Sequence, residues 1–474
     1  MHARSALALA GLLLLAGCST PSDPVHVGPT TPPSAGPWQV TYDCPPGSST
    51  TSEFPVCTIH AGTTASGGAV WGHAQDAKHP NVIVLSMYGI EPTDVGAGPA
   101  GTARFYETYL LVTQDGGSTW KRVDLPKIPT LEPASELAGV DDVMVRGLTF
   151  GPDGVLHLFG GATHEAPYPS SPVKAFGNSP SAGGNYTIFH VSTPDLGVTW
   201  GKPTTLGWGQ FQDFAEGMVL ADGTIVATFN GAGQPDEARV SHDAGATWQA
   251  VDLPPTCYYR SWLARVDGKA TIGCTLEAEI WQYNATSGAF EDLAPIPGMG
   301  DYQDNPWIGQ GPDGNVTMIL QEHYGADGPR VLHSHDGGRT WSKPVFIAAN
   351  CQACAGLYEY QPGEGYGLDG QGNLHVVFAG SFHATVPNEG LYRRVHAVYG
   401  PDLTRLHDAV MYNMSETWTP DAGYAAWRVE KRASWIHAPN GVVQARADGV
   451  ASDVNWCWRQ VADAKWYDGV GPGR

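Results

Sequence analysis

Several short stretches of this chain gather side chains that could work on sugars. DD at 141–142 supplies Asp142 and is followed closely by Arg146. GQFQDFAEG (209–217) carries Asp213 and Glu216, and GDYQDNPW (300–307) carries Tyr302, Asp304 and Trp307. QEHYG (321–325) brings His323, GLYEYQPGEGYG (356–367) brings Tyr358, Tyr360 and Glu364, and LYRR (391–394) brings Arg393. Opposed carboxylates act as general acid and base or nucleophile on a glycosidic bond. Guanidinium groups clamp carboxylates through two parallel hydrogen bonds, and aromatic faces stack on sugar rings. Such a mixture suits a glycan site. The competing reading is that acidic, aromatic loops simply hold an exported domain together.

Other chemistries find less support. There is no HExxH helix for zinc and no phosphate loop or G-x-S-x-G elbow in a suitable context. His333 and His335 flank a turn, which favours a solvated strand face over a ligand pair. The CxxC at Cys351 and Cys354 lacks a second cysteine pair for zinc and a surrounding helix for redox work. No metal or cofactor is therefore expected. With 47 acidic against 26 basic residues, the net charge of −21 also argues against a nucleic-acid partner.

The elements that must position these side chains announce themselves by repetition. VTQDGGSTW (112–120) returns as VSTPDLGVTW (191–200), VSHDAGATW (240–248) and HSHDGGRTW (333–341). In each, an Asp (Asp115, Asp195, Asp243, Asp336) can accept backbone N–H groups of its own turn, and a Gly can take positive φ. A Trp (Trp120, Trp200, Trp248, Trp341) then offers a large face to a neighbouring sheet. A second repeat of Asp/Gly turns entering alternating strands interleaves with the first. It is seen in GPDGVLHLFGG (151–161), LADGTIVATFNG (220–231), VDGKATIGC (266–274), GPDGNVTMILQEH (311–323) and DGQGNLHVVFAG (369–380). WQYNATSGAFEDL (281–293) fills the gap as a degenerate unit. Two hairpins per unit make four strands, and radial repetition of four-stranded sheets is a β-propeller. The expected fold is all-β, with six antiparallel blades, or seven if the C-terminal segment adds one.

Ser/Thr-x-Asp-x-Gly-x-Thr-Trp resembles the Asp box, or BNR repeat, of sialidase-like propellers, over roughly residues 60–415. In that family the boxes lie on the rim opposite the binding face, so the resemblance makes their Asp and Trp residues scaffold. It also implies that inner strands enter from the functional face and end at the Asp/Gly turns. Counting eight residues back from Gly154, Gly223, Gly268, Gly314 and Gly372 then gives Arg146, Ala215, Arg260, Pro306 and Glu364 around the channel mouth. Glu364, Asp142, Glu216, Asp304, Tyr358 and Tyr360 are the candidate catalytic groups. Arg146, Arg260, Arg393, Trp307, Tyr302 and His323 are the candidate substrate contacts. True sialidases also carry a Phe/Tyr-Arg-Ile/Leu-Pro motif early in the first blade. The corresponding stretch HAGTTASGGAVWGHA (60–74) contains no Arg, which argues against sialidase activity proper.

MHARSALALAGLLLLAGC (1–18) has a basic start and an apolar run too short to span a bilayer. Its Leu-Ala-Gly-Cys ending resembles a bacterial lipobox, which implies lipidation of Cys18 and anchoring in the cell envelope, at the outer membrane in a Gram-negative cell. Residues 19–37, rich in Pro, Ser and Thr, form an extended tether, and residues 38–474 form one domain. An oxidising compartment allows disulfides. Cys44 with Cys57 and Cys257 with Cys274 are local candidates, while Cys351 and Cys354 could close on each other or reach Cys457. Three readings follow: a glycan-degrading enzyme, a non-catalytic propeller that binds a glycan or protein, and an envelope assembly factor.

Overall fold

The structure is a computed structural model. It describes residues 41–43, 56–60, 68–79, 81–90, 106–115, 120–128, 141–164, 186–209, 215–230, 236–254, 257, 263–274, 279–297, 304–321, 328–352, 354, 359–360, 366–368, 372–381, 392–413, 434–438, 441–447 and 453–460. The lipobox, the tether and Cys44 lie outside these residues. No helix among the described residues is long and apolar enough to cross a membrane.

In chain order the strands begin with β1 (Thr41–Asp43) and β2 (Val56–His60). The first blade is β3 (Gly68–Gln75), β4 (Ile83–Ile90), β5 (Tyr106–Thr113) and β6 (Lys121–Asp124). The second is β7 (Asp141–Phe150), β8 (Leu156–His164), β9 (Tyr186–Thr193) and β10 (Thr204–Gly209). The third is β11 (Glu216–Val219), β12 (Ile225–Phe229), β13 (Glu237–Ser241) and β14 (Gln249–Val251). The fourth is β15 (Ala264–Val266), β16 (Lys269–Cys274), β17 (Glu279–Asn284) and β18 (Ala289–Pro295). The fifth is β19 (Asp304–Gln310), β20 (Val316–Gln321), β21 (Arg330–Ser334) and β22 (Val345–Phe346). In the sixth an interrupted inner strand, β23 (Glu359–Tyr360) and β24 (Tyr366–Leu368), pairs along β25 (Leu374–Ser381), followed by β26 (Tyr392–Tyr399) and β27 (Arg405–Asn413).

These six antiparallel sheets are the blades of a β-propeller, as the repeat predicts. The C-terminal strands β28 (Ser434–Ala438), β29 (Gly441–Ala447) and β30 (Asp453–Gln460) form a further sheet. It is completed by β2 and β1 in the order β28-β29-β30-β2-β1. The first and last described strands therefore share one sheet, and its β28 lies against β3 of the first blade.

The alternating pattern of each strand sends successive side chains to opposite blade interfaces. Leu158 of β8 packs with Leu110 and Val84 of the first blade, while the adjacent Phe159 packs with Ala215 and Phe229 of the third. Val226 faces the fourth blade beside Ile272 and Cys274, whereas Ile225 and Ala227 face the second. Each core cluster thus straddles a pair of blades rather than filling one.

The repeated Asp turns lock these interfaces. In the third blade, Thr247 donates its backbone N–H (2.8 Å) and hydroxyl (2.6 Å) to Asp243, and Ser241 Oγ donates at 2.8 Å. Asp195 and Asp336 receive the same set from Thr199 and Thr193, and from Thr340 and Ser334. These donors hold the Asp243 and Asp336 carboxyls down to about 2, with the threonine hydroxyl as the largest cause in both. Asp195 is also lowered, chiefly by the Thr199 N–H. Behind each turn, the Trp joins the interface with the preceding blade: Trp200 with the first, Trp248 with the second and Trp341 with the fourth. Trp248 Nε1 donates to Thr204 Oγ1 on β10 at 3.1 Å, tying the turn to that neighbour.

The Cys257–Cys274 bridge closes as expected, within the core shared by the third and fourth blades. Cys351 pairs with Cys354 rather than with Cys457, because the loop after β22 brings their Cα atoms to 5.2 Å.

Two predictions follow from this packing. Gly72 on β3 faces the second blade so closely that an added Cβ would overlap the Arg146 carbonyl oxygen and Leu148. Gly72→Ala should lower stability by about 1–3 kcal/mol in denaturant titration, the usual cost of overpacking a tight interior. The Asp turns give the second prediction. Carboxylates depressed to about 2 stabilise the fold fully above their unfolded value and lose that contribution as pH falls from about 4 toward about 2. Replacing Asp243 and Asp336 with Asn should lower Tm at neutral pH and flatten its decline below about pH 4.

Candidate functional site

Two of the sequence-predicted site residues are brought together with defined side chains. Arg146 projects from β7 and Glu216 opens β11, the inner strands of the second and third blades. Their Nε and Oε1 atoms lie 3.7 Å apart, with side chains 9% and 13% exposed. The second oxygen, Glu216 Oε2, accepts the backbone N–H of Leu263 at 3.0 Å, immediately before β15 of the fourth blade. One carboxylate therefore links three consecutive blades. At this exposure solvent screens the pair poorly, so the attraction exceeds that of a surface ion pair.

The local fold explains the placement of Arg146. The register of β7 against β8 slips between Val145 and Gly147, which leaves Arg146 as the extra residue of a β-bulge. A bulge bends its strand and re-aims the side chain at that point. Gly147 then permits close approach: a Cβ there would sit 2.8 Å from the Glu216 Cα and 2.9 Å from the Ala215 oxygen. Equivalent slips occur between Val70 and Gly72 on β3 and between Asp304 and Trp307 on β19. The eight-residue count thus lands on the bulge in the second and fifth blades, at Arg146 and Pro306. The bulges themselves were missed; the only trace in the sequence was a Gly two residues after Val70 and Val145.

The remaining candidates fall at various places. Asp142 on β7 pairs with Thr163, and Asp304 begins β19 opposite Gln321. Tyr360 on β23 pairs with Gly380, which in turn pairs with Arg393 on β26. Tyr360 and Arg393 thus share one row of the sixth blade with β25 between them, a backbone separation of about 10 Å. Arg393 is on the third strand rather than the inner one, so it stands further from the axis than Arg146. Trp307 requires a correction. It is 3% exposed, and its ring lies 6.1 Å from that of Tyr366 within the core shared by the fifth and sixth blades. The indole is consumed by packing because the slip in β19 turns it into the interface, so the expected substrate contact is a core side chain. Glu364, Tyr358, Arg260, Tyr302 and His323 lie outside the described residues.

No group of three or more potential metal ligands occurs among the described residues. What Arg146 and Glu216 offer chemically is a largely buried guanidinium on an inner strand, within ion-pair distance of a carboxylate that is itself held by a backbone donor.

No protein-family model matches the chain, and no curated protein matches it. Solved structures do. A Hadza microbial sialidase is 11% identical with a TM-score of 0.44, the match covering 84% of this chain and 66% of that one. The Trypanosoma rangeli sialidase, in complex with 2,3-difluorosialic acid, is 12% identical with a TM-score of 0.44 over 85% of this chain and 55% of its own. YCF48 bound to the D1 peptide is 13% identical with a TM-score of 0.43 over 90% and 98%. The chain thus spans little more than half the length of the trypanosomal enzyme. These are likenesses of fold.

A double-mutant cycle on Arg146→Ala and Glu216→Ala should give a coupling of about 0.5–3 kcal/mol in chemical unfolding. Glu216→Ala should be the costlier single change, because it removes the charge facing the guanidinium and also leaves the Leu263 N–H without its acceptor. Additive effects would show that the 3.7 Å pair carries no interaction energy.

Proposed function

We propose that the protein is an envelope-anchored, sialidase-like propeller that engages glycans at the mouth of its central channel. The observation that supports this most directly is the braced Arg146, a donor group on the inner strand of the second blade held by Glu216 of the third. A guanidinium fixed in this way is pre-organised for an acidic or hydroxyl-rich sugar, since little side-chain freedom remains to be lost on binding. The two disulfides fit export to an oxidising compartment, and the lipid on Cys18 would hold the domain at the envelope. On this reading Glu364, Asp142, Asp304 and the tyrosines 358 and 360 are the groups that would cut a glycosidic bond. Glu216 completes the candidate acidic set, with Oε2 held by the Leu263 N–H and Oε1 facing Arg146 at ion-pair rather than hydrogen-bond distance.

The alternative is a non-catalytic propeller that binds a glycan or protein, or that serves envelope assembly.

The test is a mass-spectrometric turnover screen of the soluble domain against mixed sialylated and neutral glycans, with binding measured in parallel. Arg146→Ala should weaken glycan binding at least about tenfold, the loss of one charge-assisted contact. If the protein is a hydrolase, Glu364→Gln should abolish product while leaving binding in place. Binding without product from the wild type would identify a lectin-like propeller. Neither binding nor product would remove the glycan reading.

A further inference from the structure

The joint between the second and third blades contains a pair of buried histidines that neither the scaffold turns nor the channel mouth accounts for. His157 on β8 is 3% exposed and His190 on β9 is 2% exposed. His157 Nδ1 and His190 Nε2 are 2.9 Å apart, and the rings stack at 5.2 Å between centroids. His190 faces the third blade directly. The Trp248 ring stands edge-on to it at 5.2 Å, Phe159 lies at 5.1 Å, and a Cβ added to Gly245 would overlap the imidazole. The Asp243 turn of the third blade is therefore seated on the His190 ring.

We propose that the His157–His190 pair, hydrogen-bonded within the second blade, is an acid-sensitive seat for the Asp243 turn of the third blade, a latch that keeps their joint closed while the rings are neutral and loosens it on acidification. The argument begins with proton accounting. A hydrogen bond between two imidazoles needs one N–H and one lone pair, so both rings must be neutral, or only one of them charged. One added proton leaves the bond in place but buries a cation among Phe159, Trp248 and a Gly. A second proton turns both facing nitrogens into donors and breaks the bond.

Little around the pair can compensate such charge. From the turn after β7, the Asp153 carboxylate acts on His157 and favours its protonated form. Across the ladder, β7 presents Thr149 to His157, and β10 presents Thr204 to His190. The third blade presents Trp248 and Gly245, and His190 Nδ1 has no hydrogen-bond partner. Burial accordingly lowers His157 to about 4, and burial followed by the neighbouring His157 lowers His190 to about 3. Because both folded values lie below the ordinary value of 6.5, the latch is at full strength above that pH. It weakens progressively as pH falls toward about 4 and then about 3. The Asp turns begin to lose their contribution only below about pH 4, so the fall between about pH 6.5 and about pH 4 belongs to the histidines. Arg146 and Glu216 span the same two blades, so opening this joint also loosens the channel mouth.

The test uses the full chain and the double variant His157→Asn, His190→Gln. Asn places an amide where His157 has Nδ1, and Gln places one where His190 has Nε2, so the bond is kept but cannot titrate. The wild-type Tm should fall by about 5 °C between pH 7 and about pH 4.5, with the variant losing less than about half of that. Hydrogen exchange at pH 5 should show wild-type protection at residues 186–193 and 236–250 falling more than at 316–334, with no such difference in the variant. Parallel Tm profiles, or a uniform loss of protection, would overturn the proposal. Should the variant not fold, NMR titration of the wild-type imidazoles decides: neutral rings at pH 5 support the latch, and ordinary titration near 6.5 in the folded protein sinks it.

Discussion

Each blade of this protein is a thin sheet with two apolar faces, and neither face can be covered from within the blade. That constraint governs nearly everything else. Leu158 and Phe159 are neighbours in sequence yet serve two different interfaces, and so are Ile225 and Val226. A mutation in one interface is therefore felt by two blades. A single blade excised from the ring would expose both of its faces to water, where the hydrophobic term works against it. The sheet that joins β1 and β2 to β28–β30 applies the same logic to the chain ends, by pairing strands that are hundreds of residues apart.

The Asp turns and the inner-strand bulges meet this constraint at opposite radii. Away from the axis, a carboxylate saturated by its own turn's donors fixes the direction in which Trp248 or Trp341 leaves, so the indole always reaches back to the preceding blade. Nearer the axis, strands approach so closely that Gly72 and Gly147 have no room for a side chain. The bulges that accompany those glycines push Arg146 out of the ladder. The position of Arg146 is thus a product of the packing problem: the distortion that lets β7 touch β3 and β11 also brings the guanidinium within ion-pair distance of Glu216.

The buried histidines show how polar groups behave in such an interface. His157 and His190 satisfy one another, and the price is that the two rings cannot both be protonated. The Arg146–Glu216 pair and the Glu216–Leu263 bond satisfy charge in another way, by spreading one carboxylate over three blades. The ion pair crosses the joint between the second and third blades, and the histidine pair lies on the second blade's side of that same joint, with His190 against Trp248.

The fold was legible because its signal is local and repeated. Asp, Gly, Thr and Trp at fixed offsets specify a turn through bonds within a few residues, and the alternating runs between them specify strands; hence six blades, the degenerate hairpin at 281–293 and the Cys257–Cys274 bridge could be read from the sequence. The candidate site was legible only in part. Counting back from turn glycines leads to Arg146 and, beside Ala215, to Glu216, which the structure brings within 3.7 Å, but the rule carries the strand position and not the slip in the ladder. Trp307 shows where that rule fails: its residue type suits a sugar face, but the bulge in β19 rotates it into the core. The His157–His190 contact left no mark at all, because the residues are 33 apart and meet only when β8 pairs with β9. Local bonding thus determined the blades from sequence alone, while inter-strand register and blade-to-blade contact, which depend on residues distant in the chain, decided which polar groups face each other.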